Sequence, residues 1–176
     1  MRARQDFTTR TAEPADAEAI THVHKTGRAS YYGDALDLDD AQRDRQPMWS
    51  QIIKDPTKRT AVAEHDGQVV GFITVTPAMR SESRAELTSI YVLPSFFGAG
   101  VAQQLYDLFL IYRGSHGAQL EVWDGNDRAK AFYARRGWSP TDQSRPGAAG
   151  RPFVTWHLAG IDPPERTLIE RFTPDR

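Results

Sequence analysis

The sequence predicts one α/β domain with a mixed β-sheet, and two segments carry this prediction. Two β-rich runs in residues 59–77 flank Asp66-Gly67, a pair typical of the type I′ turn in an antiparallel hairpin. Farther on, a strand at 85–93, a helix at 100–113 and a strand at 118–123 follow in the order of a right-handed crossover between parallel strands. A sheet with both kinds of pairing is mixed, and its helices flank it.

The elements before the hairpin are short. A strand that begins around Phe7 leads into a helix, for which Pro14 and Asp16 are start signals and after which apolar residues recur at helical spacing. A second short helix covers residues 46–54 and ends before Pro56, since proline disfavours helical backbone in the residue that precedes it.

The C-terminal third adds one helix and one strand. The helix covers residues 126–137, with Asn126 at its start and Gly137 at its C-terminal stop. A loop at 139–152, rich in proline and glycine, precedes the last strand within 151–160. We expect the domain to span residues 1–160 and residues 161–176 to form a polar tail.

Length and composition narrow the classes of function. With 176 residues, 39% of them hydrophobic and 26% charged, the chain suits a single globular domain. A formal net charge of −1 does not favour a nucleic-acid partner, and the absence of cysteine excludes disulfides and a catalytic thiol. No histidines and carboxylates have metal-site spacing, so we expect no metal. Without an apolar leader or a membrane-length apolar stretch, we expect a cytoplasmic protein with no membrane partner.

A glycine-rich segment stands where the 100–113 helix begins. Residues 98–102 read Gly-Ala-Gly-Val-Ala and follow two phenylalanines. The first N–H groups of a helix lack intrahelical acceptors, and with the helix dipole they favour an anion. Small residues let a phosphate approach these donors. By itself the pattern fits either a phosphate site or a tight turn.

Two motifs in order resemble those of the Gcn5-related N-acetyltransferase (GNAT) superfamily. Residues 91–102 resemble motif A, in which a strand ends near Val-x-Pro before Arg/Gln-x-x-Gly-x-Gly/Ala; Phe97 stands where Arg or Gln is usual. Residues 120–138 resemble motif B, Asn-x-x-Ala-x-x-Phe-Tyr-x-x-x-Gly-aromatic. The resemblance covers residues 6–158 and implies the acyl-CoA N-acyltransferase fold, an α/β fold whose mixed central sheet is V-splayed and flanked by helices.

The resemblance also implies the cosubstrate, acetyl-CoA, and its contacts. The pantetheine arm would lie between the two parallel strands and pair with backbone groups of the first of them. The pyrophosphate would lie on the glycine-rich segment, and motif B would complete the site. The implied cofactor-binding residues are Ile90, Tyr91, Val92, Phe97, Gly98, Ala99, Gly100, Val101, Ala102, Asn126, Ala129 and Tyr133.

Two side chains are candidates for catalysis of direct acetyl transfer to an amine. Tyr133 stands where the family has its general acid, and a phenol with a pKa near ~10 can protonate a thiolate. Glu86 resembles the base carboxylate of the histone-acetylating branch, and on a regular strand it shares a face with Thr88, Ile90 and Val92. The alternatives are a packing role for the tyrosine and a solvated charge for the glutamate.

Three histidines compete as bases. His24 lies on the helix that borders the acceptor pocket in the family, His65 lies at the hairpin turn, and His157 lies in the last strand. For each of them, a surface or packing role is the alternative.

The acceptor entrance is predicted at residues 29–49, between the first two helices. Tyrosines, a tryptophan and carboxylates alternate there, a composition that attracts a cationic amine by Coulomb and cation–π interactions, although it also fits a solvated acidic loop. We predict Tyr31, Tyr32 and Asp37 as acceptor-binding residues and a small cationic primary amine as the acceptor.

Two other functions stay open. One is acetylation of a protein at its N-terminus or at a lysine, and the other is a regulatory module that binds acyl-CoA without turnover. A homodimer formed through the last strand and the tail also stays open.

Overall fold

The structure is a computed structural model that describes residues 6–80 and 83–161. Its centre is a seven-stranded sheet with the order β1-β2-β3-β4-β5-β7-β6. The pairing of β4 with β5 is parallel and the other pairings are antiparallel, so the sheet is mixed, as predicted. The strands are β1 (Thr8–Thr11), β2 (Arg59–His65), β3 (Gln68–Thr76), β4 (Ala85–Val92), β5 (Ala118–Trp123), β6 (Ser139–Arg145) and β7 (Phe153–Leu158).

Helices cover both faces of the sheet. They are α1 (Ala17–Tyr32), α2 (Leu38–Gln42), α3 (Gln46–Lys54), α4 (Val101–Arg113) and α5 (Asp127–Ala134). Residues of α1 and α3 pack on one face in a cluster around Trp49 and Phe72, and α4 packs on the other face in a larger cluster around Leu105 and Phe109. Within the residues that the structure describes, no helix has the length and apolar character that a bilayer crossing requires.

Local sequence signals position several of these elements. Asp66 and Gly67 have φ angles of 50° and 75°, as a type I′ turn between β2 and β3 requires. Asn126 caps α5, because its side chain accepts a hydrogen bond from the Ala129 N–H at 3.0 Å. Gly137, with a φ of 83°, ends the turn that follows α5.

Two segments differ from the prediction. Residues 139–145, which we expected to be part of a loop, form the edge strand β6 and pair with β7. A proline is tolerated in such a strand because the edge leaves one side of the backbone without a neighbour, so Pro140 does not prevent pairing. The short helix α2 also lies in a segment for which no helix was predicted. The predicted polar tail lies outside the described residues, apart from Ile161.

A β-bulge in β4 decides which of its side chains face α4. Ser89 pairs with Thr74 and Leu87 pairs with Val75, so Thr88 is left without a partner in β3. Leu87 before the bulge, and Ile90 and Val92 after it, all pack in the cluster under α4. The extra residue therefore reverses the alternation of faces along the strand.

The position of Glu86 follows from this bulge. Glu86 precedes Leu87 and is exposed, so it projects from the face opposite α4, and Tyr91 packs in the cluster on that same face. The prediction that Glu86 shares a face with Ile90 and Val92 is therefore wrong, because it assumed a regular strand.

Candidate functional site

A groove opens where β4 and β5 separate. The two strands pair only at Ala85–Ala118 and Glu86–Gln119, and their pairing stops before their carboxyl ends. The groove has a volume of about 990 Å³ and is lined by both strands and by residues of α1, α4 and α5. Open α/β sheets bind their ligands at the carboxyl ends of parallel strands. The predicted V-splay thus coincides with this groove.

Positive charge is concentrated in this groove. Although the chain has a formal net charge of −1, six arginines and three carboxylates line the groove. An excess of cationic side chains raises the local concentration of anions. The charged residues of the lining are Arg28, Arg45, Arg128, Arg135, Arg136, Arg145, Glu86, Glu121 and Asp127.

The turn before α4 presents backbone donors to the groove. Gly98 and Gly100 have φ angles of 79° and 98°, and a Cβ at either position would meet nothing within 4 Å. In the described part of the chain, the N–H groups of Gly98, Gly100, Val101 and Ala102 have no acceptor, whereas the Ala99 N–H donates to a backbone carbonyl at 3.2 Å. Open space, unpaired donors and a helix N-terminus together fit a phosphate group.

A cation from α5 lies beside the same turn. The guanidinium carbon of Arg128 is 3.7 Å from the centroid of the Phe97 ring, and both residues line the groove. Phe97 stands where the resemblance leads us to expect Arg or Gln. Arg128 therefore brings to this point a positive charge that Phe97 does not supply.

Tyr133 combines a core position with access to the groove. It is 8% exposed and lines the groove, and its hydroxyl has no hydrogen-bond partner within the described residues. Burial, together with the neighbouring Tyr91 and Tyr106, raises the pKa of the hydroxyl above its ordinary value. The hydroxyl is therefore protonated at neutral pH, and it is a weaker acid than the phenol of an exposed tyrosine.

Glu86 differs from the other carboxylates of the lining. Glu121 pairs with Arg145 at 2.7 Å and Asp127 pairs with Lys130 at 3.0 Å, whereas no ion pair joins Glu86 to any residue that the structure describes. It lies where β4 still pairs with β5. Glu86, whose carboxylate forms no ion pair with the described residues, therefore lies at the end of the groove where β4 and β5 are still paired.

Two arginines on the α1 side of the groove share one carboxylate. Arg28 and Arg45 each donate a hydrogen bond to a different oxygen of Asp40. Burial by itself raises the pKa of Asp40, but the hydrogen bonds and charges of the two arginines outweigh it, so the pKa is lowered. Asp40 is thus ionised, and each of its two carboxylate oxygens accepts a hydrogen bond from an arginine.

The structure does not bring the predicted acceptor carboxylate to the groove. Asp37 caps α2 by accepting a hydrogen bond from the Asp40 N–H at 3.1 Å, and it does not line the groove. Within the acidic segment, Asp37 thus caps a helix and Asp40 is paired with two arginines. That this segment attracts a cation stays a prediction.

Aromatic side chains form the wall on the same side. The hydroxyl groups of Tyr31 and Tyr91 lie 3.1 Å apart, and the rings of Tyr32 and Trp123 have centroids 4.8 Å apart. Burial raises the pKa of both Tyr31 and Tyr91, so these hydroxyl groups stay neutral. This part of the groove therefore has an aromatic surface whose polar groups include the neutral hydroxyls of Tyr31 and Tyr91.

His24 is a buried neutral residue of this wall. It is 8% exposed, and its ring centroid lies 4.8 Å from that of Tyr91 and 5.1 Å from that of Trp49. Burial, with the charges of Arg28 and Arg45, lowers its pKa to about 3. Its Nδ1 atom has no hydrogen-bond partner within the described residues.

The groove brings most of the predicted site residues together. Ala99 and Asp37 are not part of the lining, and neither are His65 and His157. In residues 6–80 and 83–161, no group of three or more histidines and carboxylates could hold a metal ion. The predicted residues that line the groove are His24, Tyr31, Tyr32, Glu86, Ile90, Tyr91, Val92, Phe97, Gly98, Gly100, Val101, Ala102, Asn126, Ala129 and Tyr133.

Sequence reasoning predicted none of the six arginines of the lining as a site residue. Arg28 follows His24 by four residues on α1, a spacing that places two side chains on one helix face and could have linked them. Arg45 pairs with Asp40, which precedes it by only five residues, whereas Arg128 had no comparable local signal, because Phe97 lies in another segment of the chain.

Comparison of sequences matches residues 23–138 to the Acetyltransferase (GNAT) family. An uncharacterized N-acetyltransferase of Mycobacterium tuberculosis is 35% identical over 95 residues, which cover 51% of this chain and 58% of that protein. The chain thus spans somewhat more than half the length of this curated relative.

Comparison of structures finds the same fold. The PaiA N-acetyltransferase of Thermoplasma acidophilum, solved in complex with coenzyme A, has a TM-score of 0.70 at 16% identity and covers 85% of this chain and 98% of its own. The ribosomal-protein-S18-alanine N-acetyltransferase of Escherichia coli has a TM-score of 0.71 at 18% identity and covers 92% of this chain and 98% of its own. At these identities the likeness concerns the fold.

Proposed function

Because the chain belongs to the GNAT acetyltransferase family, we propose that it is an N-acetyltransferase that uses acetyl-CoA to acetylate a primary amine. One observation carries the proposal. The same groove has unpaired backbone donors at the start of α4 and a protonated, unpaired Tyr133 hydroxyl. A phosphate site and a proton donor within one groove suit a ligand with a pyrophosphate at one end and a thioester at the other.

The residues that would hold the cosubstrate belong to three elements. The unpaired amides of Gly98, Gly100, Val101 and Ala102 are proposed for the pyrophosphate, with Arg128 as an added cation. The β4 residues 90–92 have no partner strand on the side of β5, because the pairing of these strands stops at Glu86. Their free backbone groups can pair with an extended chain, as an added strand would.

The reaction needs one residue that donates a proton and one residue that accepts a proton. Bound acetyl-CoA would supply the acetyl group as a thioester, so that a C–N bond to the amine forms and the C–S bond breaks. Tyr133 donates its proton to the departing sulfur, and Glu86 accepts the proton that the amine loses, directly or through a water. Backbone N–H groups of residues 90–92 are the proposed donors to the carbonyl oxygen.

The proposal also covers the extent of the domain. Residues 1–160 are the proposed catalytic domain, and the polar residues 161–176 are a tail outside it. Every residue to which we give a role lies within the first of these two parts. Removal of the tail should therefore leave acetyl transfer intact.

The test is a product-balanced assay with a matched variant. Purified protein is incubated with acetyl-CoA and a panel of primary amines, and both free thiol and acetylated amine are measured. We expect the two products in equal amounts. In the variant Ala99→Glu both should be lost, since an exposed carboxylate then lies beside the unpaired amides and repels phosphate without filling the core.

Other results would favour the other functions. Acetyl-CoA binding without thiol release from any small amine or peptide favours the regulatory module. Acetylation of peptide amines alone favours a protein acetyltransferase. Thiol release without acetylated product contradicts amine transfer, because water would then be the acceptor.

A further inference from the structure

We propose that the α1 side of the groove binds a carboxylate through Arg28 and Arg45, so that the acceptor is an amine whose molecule also carries a carboxylate. The identity of this ligand as the acceptor rests on the proposed acetyl transfer. The carboxylate site itself rests on the geometry of the two arginines, and the experiment below separates the two.

The two guanidinium groups have hydrogen-bond donors without acceptors among the described residues. Each donates through one terminal nitrogen to Asp40, and neither has another hydrogen-bond acceptor in the described residues. Both side chains are only 16% exposed and line the groove, whereas Asp40 does not line it. Two positive charges against one negative charge leave the groove side cationic, and a poorly solvated guanidinium with spare donors favours a bound anion.

This cationic pair is distinct from the phosphate site. Arg28 belongs to α1, which packs in the cluster around Trp49 and Phe72. The unpaired amides belong to the start of α4, which packs in the cluster on the other face of the sheet. A phosphate group bound at α4 therefore leaves the remaining donors of Arg28 and Arg45 unoccupied.

Further polar groups lie at the same end of the groove. His24 is more than nine-tenths buried and lines the groove, and its Nδ1 atom has no partner within the described residues. The Tyr31 and Tyr91 hydroxyl groups, 3.1 Å apart, lie in the same wall. A planar carboxylate can accept two parallel hydrogen bonds from a guanidinium, and neutral donors beside it complete its shell.

The same charges would act on the acceptor amine. Nearby positive charge disfavours an ammonium group and lowers its pKa, so the neutral, nucleophilic amine becomes more abundant in the groove. Glu86, which has no ion pair within residues 6–80 and 83–161, remains available to take the proton. An amine that also carries a carboxylate can thus pair with Arg28 and Arg45 and give its amine proton to Glu86. A diamine has no group that pairs with the arginines.

The binding test uses protein saturated with CoA, so that phosphate-binding groups are occupied. Butyrate is added, and the NMR signals of the Arg28 and Arg45 Nε–H groups and of the Trp49 indole are followed. We expect saturable shifts that the variants Arg28→Gln and Arg45→Gln lose. Lys25→Gln, an exposed change on the same helix, should keep them. Butylamine should cause no such shifts.

The kinetic test compares three kinds of acceptor of equal length: ω-amino acids from glycine to 6-aminohexanoate, their amides and the corresponding diamines. We expect the amino acids to have the lowest KM. Each Arg→Gln variant should raise that KM by about 10- to 100-fold, the value of one charged hydrogen bond, and change the KM of the amides less than about threefold. Arg28→Lys should recover part of the loss.

Each outcome decides one of the two claims. Butyrate shifts without turnover of any amine overturn the proposed function and support the carboxylate site. Turnover that prefers diamines or amides, or Arg→Gln variants with unchanged KM and unchanged butyrate binding, overturns the carboxylate site and leaves the acetyltransferase intact.

Discussion

The guanidinium of Arg128 lies 3.7 Å above the ring of Phe97, at the turn whose amides face the groove. Arg128, in the segment that resembles motif B, thus carries the positive charge that Phe97 does not supply in the segment that resembles motif A. The cation that the resemblance leads us to expect on the α4 side of the groove comes instead from α5.

Loss of this cation should weaken CoA binding. We expect Arg128→Met to raise the Kd for CoA about five- to tenfold at low salt, since one exposed charge contact is worth roughly 1 kcal/mol. Isothermal titration at two salt concentrations measures it, with Arg59→Met on β2 as the control. Phe97→Arg in the Arg128→Met background should restore affinity. If it does not, the two positions do not share this role.

Tyr133 should be separable from its packing role. We expect Tyr133→Phe to lower kcat by about 10²-fold or more while CoA affinity and thermal stability stay unchanged, because the lost hydroxyl has no hydrogen-bond partner among the residues that the structure describes.

Tyr106→Phe is the matched comparison for this variant. The Tyr106 hydroxyl accepts a hydrogen bond from the Trp138 indole at 2.9 Å, so this variant should lose about 1 kcal/mol of stability and keep its kcat. Equal kcat for Tyr133→Phe and wild type would remove Tyr133 as the acid.

Glu86→Gln should change the pH dependence of turnover. We expect kcat to fall about 10²-fold at pH 7 and to recover toward the wild-type value at high pH, where the amine is already deprotonated in solution. Glu121→Gln, in which the lost carboxylate was paired with Arg145, should leave kcat unchanged. A pH profile identical to that of the wild type would mean that water alone takes the proton.

His24 should make the fold less stable as the pH falls. Its pKa is about 3 when folded and 6.5 as the ordinary value, so between these values the unfolded chain binds one proton more. The free energy of unfolding therefore decreases on acidification through this window, by up to about 1.4 kcal/mol per pH unit.

The comparison with His24→Met isolates this contribution. Urea unfolding at pH 6 and pH 5 should show that the wild type loses about 1 kcal/mol more than the variant does. His157, whose pKa is lowered by burial and by Arg84, acts in the same sense in both proteins. Equal losses would show that His24 becomes protonated without unfolding.

The features that sequence reasoning predicted are those with local causes. Asp66-Gly67 determines a turn through its own backbone preferences, and Asn126 caps a helix through a neighbour three residues away. The glycines at 98 and 100 combine with a helix start, which is also a local relationship.

The features that it missed depend on distant partners. β6 is polar and contains Pro140, and it forms because β7 offers it an edge. The bulge at Thr88 appears only in the pairing of β4 with β3. The hydrogen bond from Arg28 to Asp40 joins α1 to α2, between residues twelve positions apart.

The most direct test of the acetyl-CoA site is calorimetric titration of the wild type and of Ala99→Glu with acetyl-CoA at fixed salt. We predict a single site with a Kd in the micromolar range for the wild type, and at least a hundredfold weaker binding for the variant with an unchanged melting temperature. No binding to the wild type at millimolar acetyl-CoA, or equal affinity of the two proteins, would contradict the placement of the pyrophosphate at the start of α4.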